Sequence, residues 1–212
     1  MSDSQNHKTY TTIPGTQFGR LTAEDLKRLV TIADRYAPPL IKITGGQRLS
    51  FLGLAPEKLD ALKKELNIPA KPPHSRNRLH NIQACPGSQW CKYGAGDSLA
   101  MGEALDKLVL DRPLPYKVKV GISGCRMCCC ESWVRDVGLV AQKKGWCFIF
   151  GGNAGGRPRI GDVVAENLSD NEAVALIEKC LNLYTEKAAP KSRSARFMEK
   201  FGIDALKESI LG

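Results

Sequence analysis

Six of the eight cysteines in this 212-residue chain fall into two groups. Cys85 and Cys91 enclose five residues, Cys125, Cys128, Cys129 and Cys130 lie within six positions, and Cys147 and Cys180 stand alone. Thiols clustered in this way point to metal or redox chemistry in a reducing compartment, where disulfides are rare. Zinc knuckles pair thiolates at spacings from C-x2-C to C-x4-C, which Cys125 and Cys128 satisfy and Cys85 and Cys91 do not. A cubane accepts wider loops, because its irons are spread over a cluster rather than gathered at one point. On spacing alone the readings are, in order, an iron-sulfur cluster, zinc, and thiol chemistry or the burial of a small residue.

Charge is the second feature with chemical content. Lys and Arg number 31 against 22 Asp and Glu, a net charge of +9, so the chain should attract an anion. Lys117 and Lys119, two apart in the alternating run Leu114–Val120, fall on one face of a strand, where two ammonium groups suit a small oxyanion. The basic residues are not interleaved with stacking aromatics, which argues against nucleic acid as the partner. The glycines of 151–156 are not spaced as G-x-G-x-x-G, and Arg157-Pro158 replaces the Lys-Ser/Thr of a phosphate loop, so no nucleotide site is expected.

The elements that must position these residues can be read from periodicity. Residues 1 to about 14 are polar and expected to be loosely ordered, followed by a strand near Phe18. Thr22 and Asp25 open a helix whose apolar face is Leu26, Leu29, Val30 and Ala33. Residues 40–44 and 47–52 form a hairpin with a two-residue turn at Gly45-Gly46, and Pro56 starts a helix bearing Leu59, Leu62 and Leu66. Residues 69–75, rich in proline, are the expected linker. Beyond it come a strand from Arg78 to Ala84, a helix capped by Asp97, the 114–120 strand, strands at 137–140 and 146–150, a helix from Asp170 to about Lys187, and one or two short basic helices. With 42% hydrophobic and 25% charged residues, no apolar run of membrane-spanning length and a polar start, a cytoplasmic globular protein is expected.

Ser123-Gly-Cys-Arg-Met-Cys-Cys129, followed by Asp136-Val-Gly-Leu139, resembles the signature of nitrite and sulfite reductases, which couple siroheme to a [4Fe-4S] cluster. Their C-x5-C and C-x3-C pattern is matched by Cys85/Cys91 and Cys125/Cys129. Lys42–Arg48, Trp90–Asp97 and Gly145–Asn153 are similar to further segments of the same family. The resemblance spans roughly Gly15 to Gly202. It implies an α+β chain: a ferredoxin-like half-unit over 15–69, then a mixed α/β siroheme and 4Fe-4S domain over 75–202 with C-terminal helices. Cys85, Cys91, Cys125 and Cys129 would hold the cluster, with Cys129 also reaching the siroheme iron. Cys128 and Cys130 would then be spectators or packing residues. The many carboxylates of siroheme call for polar and cationic partners, for which the candidates are Thr44, Gln47, Arg76, Arg78, Asn81, Lys92, Gly152, Asn153, Arg157 and Arg159. Lys117, Lys119 and Arg48 would bind the anion and deliver protons.

Two departures stand out. Gly46 lies where larger relatives carry an arginine, with Arg48 two positions later, and His80-Asn81 replaces Arg-Asn. In larger members two such repeats share one active site, whereas this chain holds one repeat, so a homodimer is the arrangement expected to restore it. The resemblance implies an oxidoreductase: six-electron reduction of sulfite to sulfide, with nitrite to ammonia as the alternative. Electrons would come from an acidic donor such as ferredoxin. An electron-transfer protein without turnover is the competing class.

Overall fold

The computed structural model describes residues 9–68, 77–79 and 81–212. The linker, Arg76 and His80 lie outside the described residues. The chain divides into two units, residues 1–74 and 75–212. Among the described residues no helix is long and apolar enough to cross a membrane.

In the first unit, β1 (Tyr10–Thr12), α1 (Ala23–Tyr36), β2 (Leu40–Ile43), β3 (Leu49–Leu52) and α2 (Pro56–Glu65) build a three-stranded sheet in the order β1-β3-β2. Both outer strands run antiparallel to β3 and hence parallel to each other, a split β-α-β arrangement crossed by α1. Thr22 caps α1 and Asp25 closes a capping box, as its sequence predicts. The core is Ile13, Leu29, Ile32, Tyr36, Phe51, Leu54, Leu59 and Leu62.

Four expectations for this unit are corrected. The strand lies at Tyr10–Thr12, inside the stretch expected to be loose. Near Phe18 there is instead a 3-10 turn with Phe18 at φ 60, a left-handed conformation that no strand residue adopts. Helix α1 buries Leu29, Ile32 and Tyr36, while Leu26 and Val30 are exposed: the apolar stripe is rotated by about one position from the expected one. The hairpin turn is longer than two residues. Thr44 N–H donates to the Arg48 carbonyl at 2.8 Å, and Gln47, not either glycine, takes the left-handed conformation at φ 54. That is a three-residue loop closed by Thr44 and Arg48.

The second unit is a five-stranded sheet in sequential order: β4 (Asn81–Ala84), β5 (Lys119–Ser123), β6 (Val137–Gln142), β7 (Gly145–Phe150) and β8 (Asp162–Leu168). Strands β4, β5 and β6 are parallel, and β6, β7 and β8 are antiparallel. The helices are a single turn α3 (Gly87–Trp90), then α4 (Ser98–Lys107), α5 (Asp170–Lys187), α6 (Ser194–Phe201) and α7 (Ile203–Leu211). Helix α4 is the crossover that a parallel β4–β5 pair requires, and Asp97 caps it by accepting the Ala100 N–H at 3.0 Å. Strands β5, β6 and β7 are almost wholly buried and read as the continuous apolar runs of a sheet covered on both faces. Cys147 and Cys180 are core residues. Strand β8 is absent from the sequence expectations, and Arg78 forms only an isolated bridge with Val109 ahead of β4.

Candidate metal centre

The parallel pairing of β4 and β5 brings the two cysteine groups together. Ala84 pairs with Ile122, so Cys85 and Cys125 leave the carboxyl ends of adjacent strands, the end of a parallel sheet where ligands bind. Two backbone bonds stitch the departing loops: the Ala95 and Gly96 N–H groups both donate to the Gly124 carbonyl, at 2.6 and 3.2 Å. The approach is too close for side chains. A Cβ on Gly124 would lie 2.8 Å from the Gly87 Cα, and one on Gly94 would lie 2.5 Å from the Ser88 backbone. Gly87 itself sits at φ +68. In the resulting cradle Cys85 is buried, Cys91 and Cys125 are half-buried and Cys129 is exposed.

The Cys85 sulfur is surrounded by donors. Gly124 N–H points to it at 3.0 Å and Ser98 Oγ lies 3.3 Å away. A hydrogen bond from the Cys130 thiol, with smaller help from Ser98 and from the Gly124 and Gly87 amides, holds the Cys85 thiol down at about 5 against the desolvating effect of burial. The same contact and burial push Cys130 up. Burial raises Cys147 to about 11 and also raises Cys180. Cys128, at φ 56, packs on Val140, Cys147 and Ile149.

Among the described residues no three His, Cys, Asp or Glu side chains are gathered tightly enough to hold a single metal ion. Four thiols distributed over two stitched loops, with the Gly124 N–H directed at the Cys85 sulfur, suit the spread-out irons of a cluster better than a single ion. The residues present therefore fit a [4Fe-4S] cluster.

Four of the candidate cations, Lys117, Lys119, Arg157 and Arg159, collect at the opposite end of the sheet. Lys119 opens β5 opposite Asn81 of β4, separated from Ser123 by roughly 13 Å of strand. The expected 114–120 strand begins only at Lys119. Lys117 precedes it, but the alternation persists, with Val118 and Val120 buried and the lysines on the less buried side. The loop after β7 lies at this same end, since Phe150 pairs with Val137 at the start of β6. In it Asn153 and Arg159 pair through their backbones, Asn153 Nδ2 donates to the Arg157 carbonyl at 2.7 Å, and a Cβ on Gly152 would lie 2.5 Å from the Arg135 carbonyl. Arg159 is held by Asp162 at 2.6 Å, whereas Arg157 is largely exposed with Glu199 3.7 Å away. Lys92, on the cysteine loops, lies over the Tyr93 ring. In the first unit Gln47 lies in the hairpin loop that Thr44 and Arg48 close.

One residue that organises this end escaped assignment in the sequence. Asp136, read there only as part of a signature, is buried at 1% exposure and ties the cationic end together. Its carboxylate accepts from Arg193 at 2.7 and 3.0 Å, from the Ser194 hydroxyl and from the Lys119 N–H at 2.9 Å. The signal available was a lone acid opening an apolar strand, which demands a buried partner.

Residues 75–211 match the family described as "Nitrite and sulphite reductase 4Fe-4S domain", and residues 3–67 match the "Nitrite/Sulfite reductase ferredoxin-like half domain". The chain is 44% identical over 204 residues to a "Sulfite reductase, assimilatory-type" of Nitratidesulfovibrio vulgaris, covering 96% of this chain and 93% of that protein. It is 32% identical over 207 residues to a "Nitrite reductase [NAD(P)H]" of Bacillus subtilis, covering 98% of this chain and 26% of that protein. A solved dissimilatory sulfite reductase superposes with a TM-score of 0.77 at 14% identity, over 95% of this chain and 68% of that one, a likeness of fold.

Proposed function

Since the chain belongs to the nitrite and sulfite reductase family that carries the 4Fe-4S domain, we propose that it reduces sulfite to sulfide with six electrons from a separate donor. The observation that carries sulfite over nitrite is mutual coverage. The assimilatory-type sulfite reductase is matched over 93% of its length, the Bacillus nitrite reductase over 26%. When bound, siroheme coupled to the cluster would relay the donor's electrons to the substrate. Cys85, Cys91, Cys125 and Cys129 are the thiolates proposed to hold the cluster, and Cys129, exposed in this structure, is the one proposed also to contact siroheme. Lys117 and Lys119 are proposed to bind the oxyanion through their ammonium groups and to hold protons at Nζ for the oxygens that leave as water. Arg48 is proposed as a third cation. Thr44, Gln47, Arg76, Arg78, Asn81, Lys92, Gly152, Asn153, Arg157 and Arg159 remain the proposed siroheme contacts, of which Arg159 is held by Asp162.

In one protomer the cationic and thiol ends of the sheet are a strand length apart. This supports a two-fold homodimer in which the cations of one protomer serve the thiols of its partner. The +9 charge supports an acidic electron donor such as a ferredoxin.

The test is the optical spectrum of the full chain, purified anaerobically after co-production with siroheme synthesis, before and after sulfite is added under reductant. Siroheme bands that shift with sulfite, and faster turnover of sulfite than of nitrite, are expected. Iron-sulfur absorbance alone would convert the reading to an electron-transfer protein. Mixing a Cys129→Ala chain with a Lys117→Ala, Lys119→Ala chain tests the dimer. Activity regained only in the mixture is expected, and none regained refutes sites shared between protomers.

A further inference from the structure

The backbone that carries Lys117 and Lys119 is fastened to a distant part of the chain, the connection between α5 and α6. Residues 115–118 lie outside any strand, so the sheet alone does not fix them. The β5–β6 ladder begins at Val120 and Val137. One step earlier a side chain takes the place of a strand partner: the Asp136 carboxylate accepts the Lys119 N–H at 2.9 Å. That carboxylate is oriented by Arg193, whose Nη2 reaches its two oxygens at 2.7 and 3.0 Å. The same guanidinium lies 5.6 Å from the centre of the Tyr116 ring, and the Lys191 N–H donates to the Pro115 carbonyl at 3.1 Å. Residues on both sides of Lys117 are thus tied to 191–193. The connection has its own anchor, since the buried Tyr184 of α5 donates its hydroxyl to the Ser192 carbonyl.

We propose that Arg193 is a positioning residue for the oxyanion site: by orienting Asp136 and Tyr116 it fixes the backbone from which Lys117 and Lys119 reach the substrate. The inference rests on the reading that these two lysines bind the oxyanion. Two ammonium groups that must converge on one small anion tolerate little displacement of the chain beneath them. A guanidinium can engage both carboxylate oxygens and cover an aromatic ring at once, whereas an ammonium supplies its charge at a point. Arg193→Lys therefore keeps a positive charge beside the buried Asp136 while giving up the geometry, which separates positioning from charge balance.

The experiment compares the full chain, purified anaerobically with its cofactors, as wild type, Arg193→Lys, Tyr184→Phe and Leu206→Ala. Hydrogen exchange read by mass spectrometry follows the 114–122 segment, and steady-state kinetics give KM and kcat for sulfite. Arg193→Lys is expected to speed exchange in this segment and to raise KM about tenfold, the equivalent of one lost charge-assisted hydrogen bond, with exchange in β7 and iron content unchanged. Tyr184→Phe is expected to move both readouts in the same direction by less. Leu206→Ala truncates a buried side chain of α7 outside these contacts, and is expected to lower Tm while leaving KM alone. A sulfite KM unchanged in Arg193→Lys overturns the proposal even where exchange accelerates; should that variant not fold, an unchanged KM in Tyr184→Phe does so. An equal rise in Leu206→Ala also overturns it, because the effect is then one of general stability. A Lys117→Ala, Lys119→Ala chain with the wild-type KM overturns instead the reading beneath it, that the lysines bind the anion.

Discussion

Replacing Arg193 with methionine should be among the most damaging single changes in the second unit that leaves every cysteine in place. Asp136 is 1% exposed, and among the described residues Arg193 is its charge partner, with contacts at 2.7 and 3.0 Å and a third from Nε at 3.3 Å. Methionine keeps most of the aliphatic stem but leaves the carboxylate buried with only the Ser194 hydroxyl and the Lys119 N–H. Breaking a buried pair in this way costs about 3–5 kcal/mol. Arg193 is a quarter exposed, so water can enter behind it and the lower end applies. About 3 kcal/mol is two orders of magnitude in the unfolding constant and roughly 6–12 °C in Tm for a chain of this size. The assay is urea and thermal unfolding read by tryptophan fluorescence, which reports the second unit because Trp90, Trp133 and Trp146 all lie in it. Asp136→Asn should cost less, because the orphaned guanidinium can rehydrate. The double variant should fall short of the summed single losses by at least about 1 kcal/mol. A loss below about 1 kcal/mol in Arg193→Met, or additive single effects, would refute the reasoning.

Two further outcomes follow from the geometry. Gly124→Ala places a Cβ 2.8 Å from the Gly87 Cα and 2.9 Å from the Gly96 carbonyl, both backbone atoms that cannot step aside, so the cysteine loops part. The purified variant should contain little of the wild-type iron while retaining its far-ultraviolet dichroism. In the first unit the Tyr36 hydroxyl and Arg35 hold the Glu65 carboxyl below its ordinary range. A depressed carboxylate contributes stability that is present above its unfolded pKa and lost as pH falls through the folded one. Tyr36→Phe should therefore flatten the acid limb of the stability curve below about pH 5, leaving neutral salt dependence alone.

How much was legible depended on whether a signal was local. Helix α5 begins and ends where the sequence places it, because the Ser169 and Glu172 capping box and the Ala173, Leu176, Ile177, Cys180, Leu181 and Tyr184 stripe lie within the helix itself. The cysteine spacing and its downstream Asp136-Val-Gly-Leu139 were readable for the same reason. Strand β8 was not, since Asp162–Leu168 is a half-exposed edge whose pairing with β7 is interrupted by register shifts, leaving no clean alternation. Leu26 and Val30 looked like core because period alone offers two neighbouring stripes on α1, and only the partners choose between them. The separation of Lys119 from the cysteine loops was invisible in a list of candidates. It depends on which end of β5 each occupies, a matter of strand direction rather than composition. The Cys130 contact with Cys85 is nonlocal in the same sense.

The parallel pairing of β4 with β5 also has a consequence for how the chain is made. Cys85 and Cys125 are forty positions apart, and no hairpin can join parallel strands. The segment between them, helix α4 included, has to be made before the two loops can meet, so the thiols emerge from synthesis as separate, accessible groups during an interval set by loop closure. Through that interval the nascent chain depends on its surroundings to keep sulfur reduced. Sheet assembly then ends the exposure of Cys85 and Cys130 in the same event that creates the cradle.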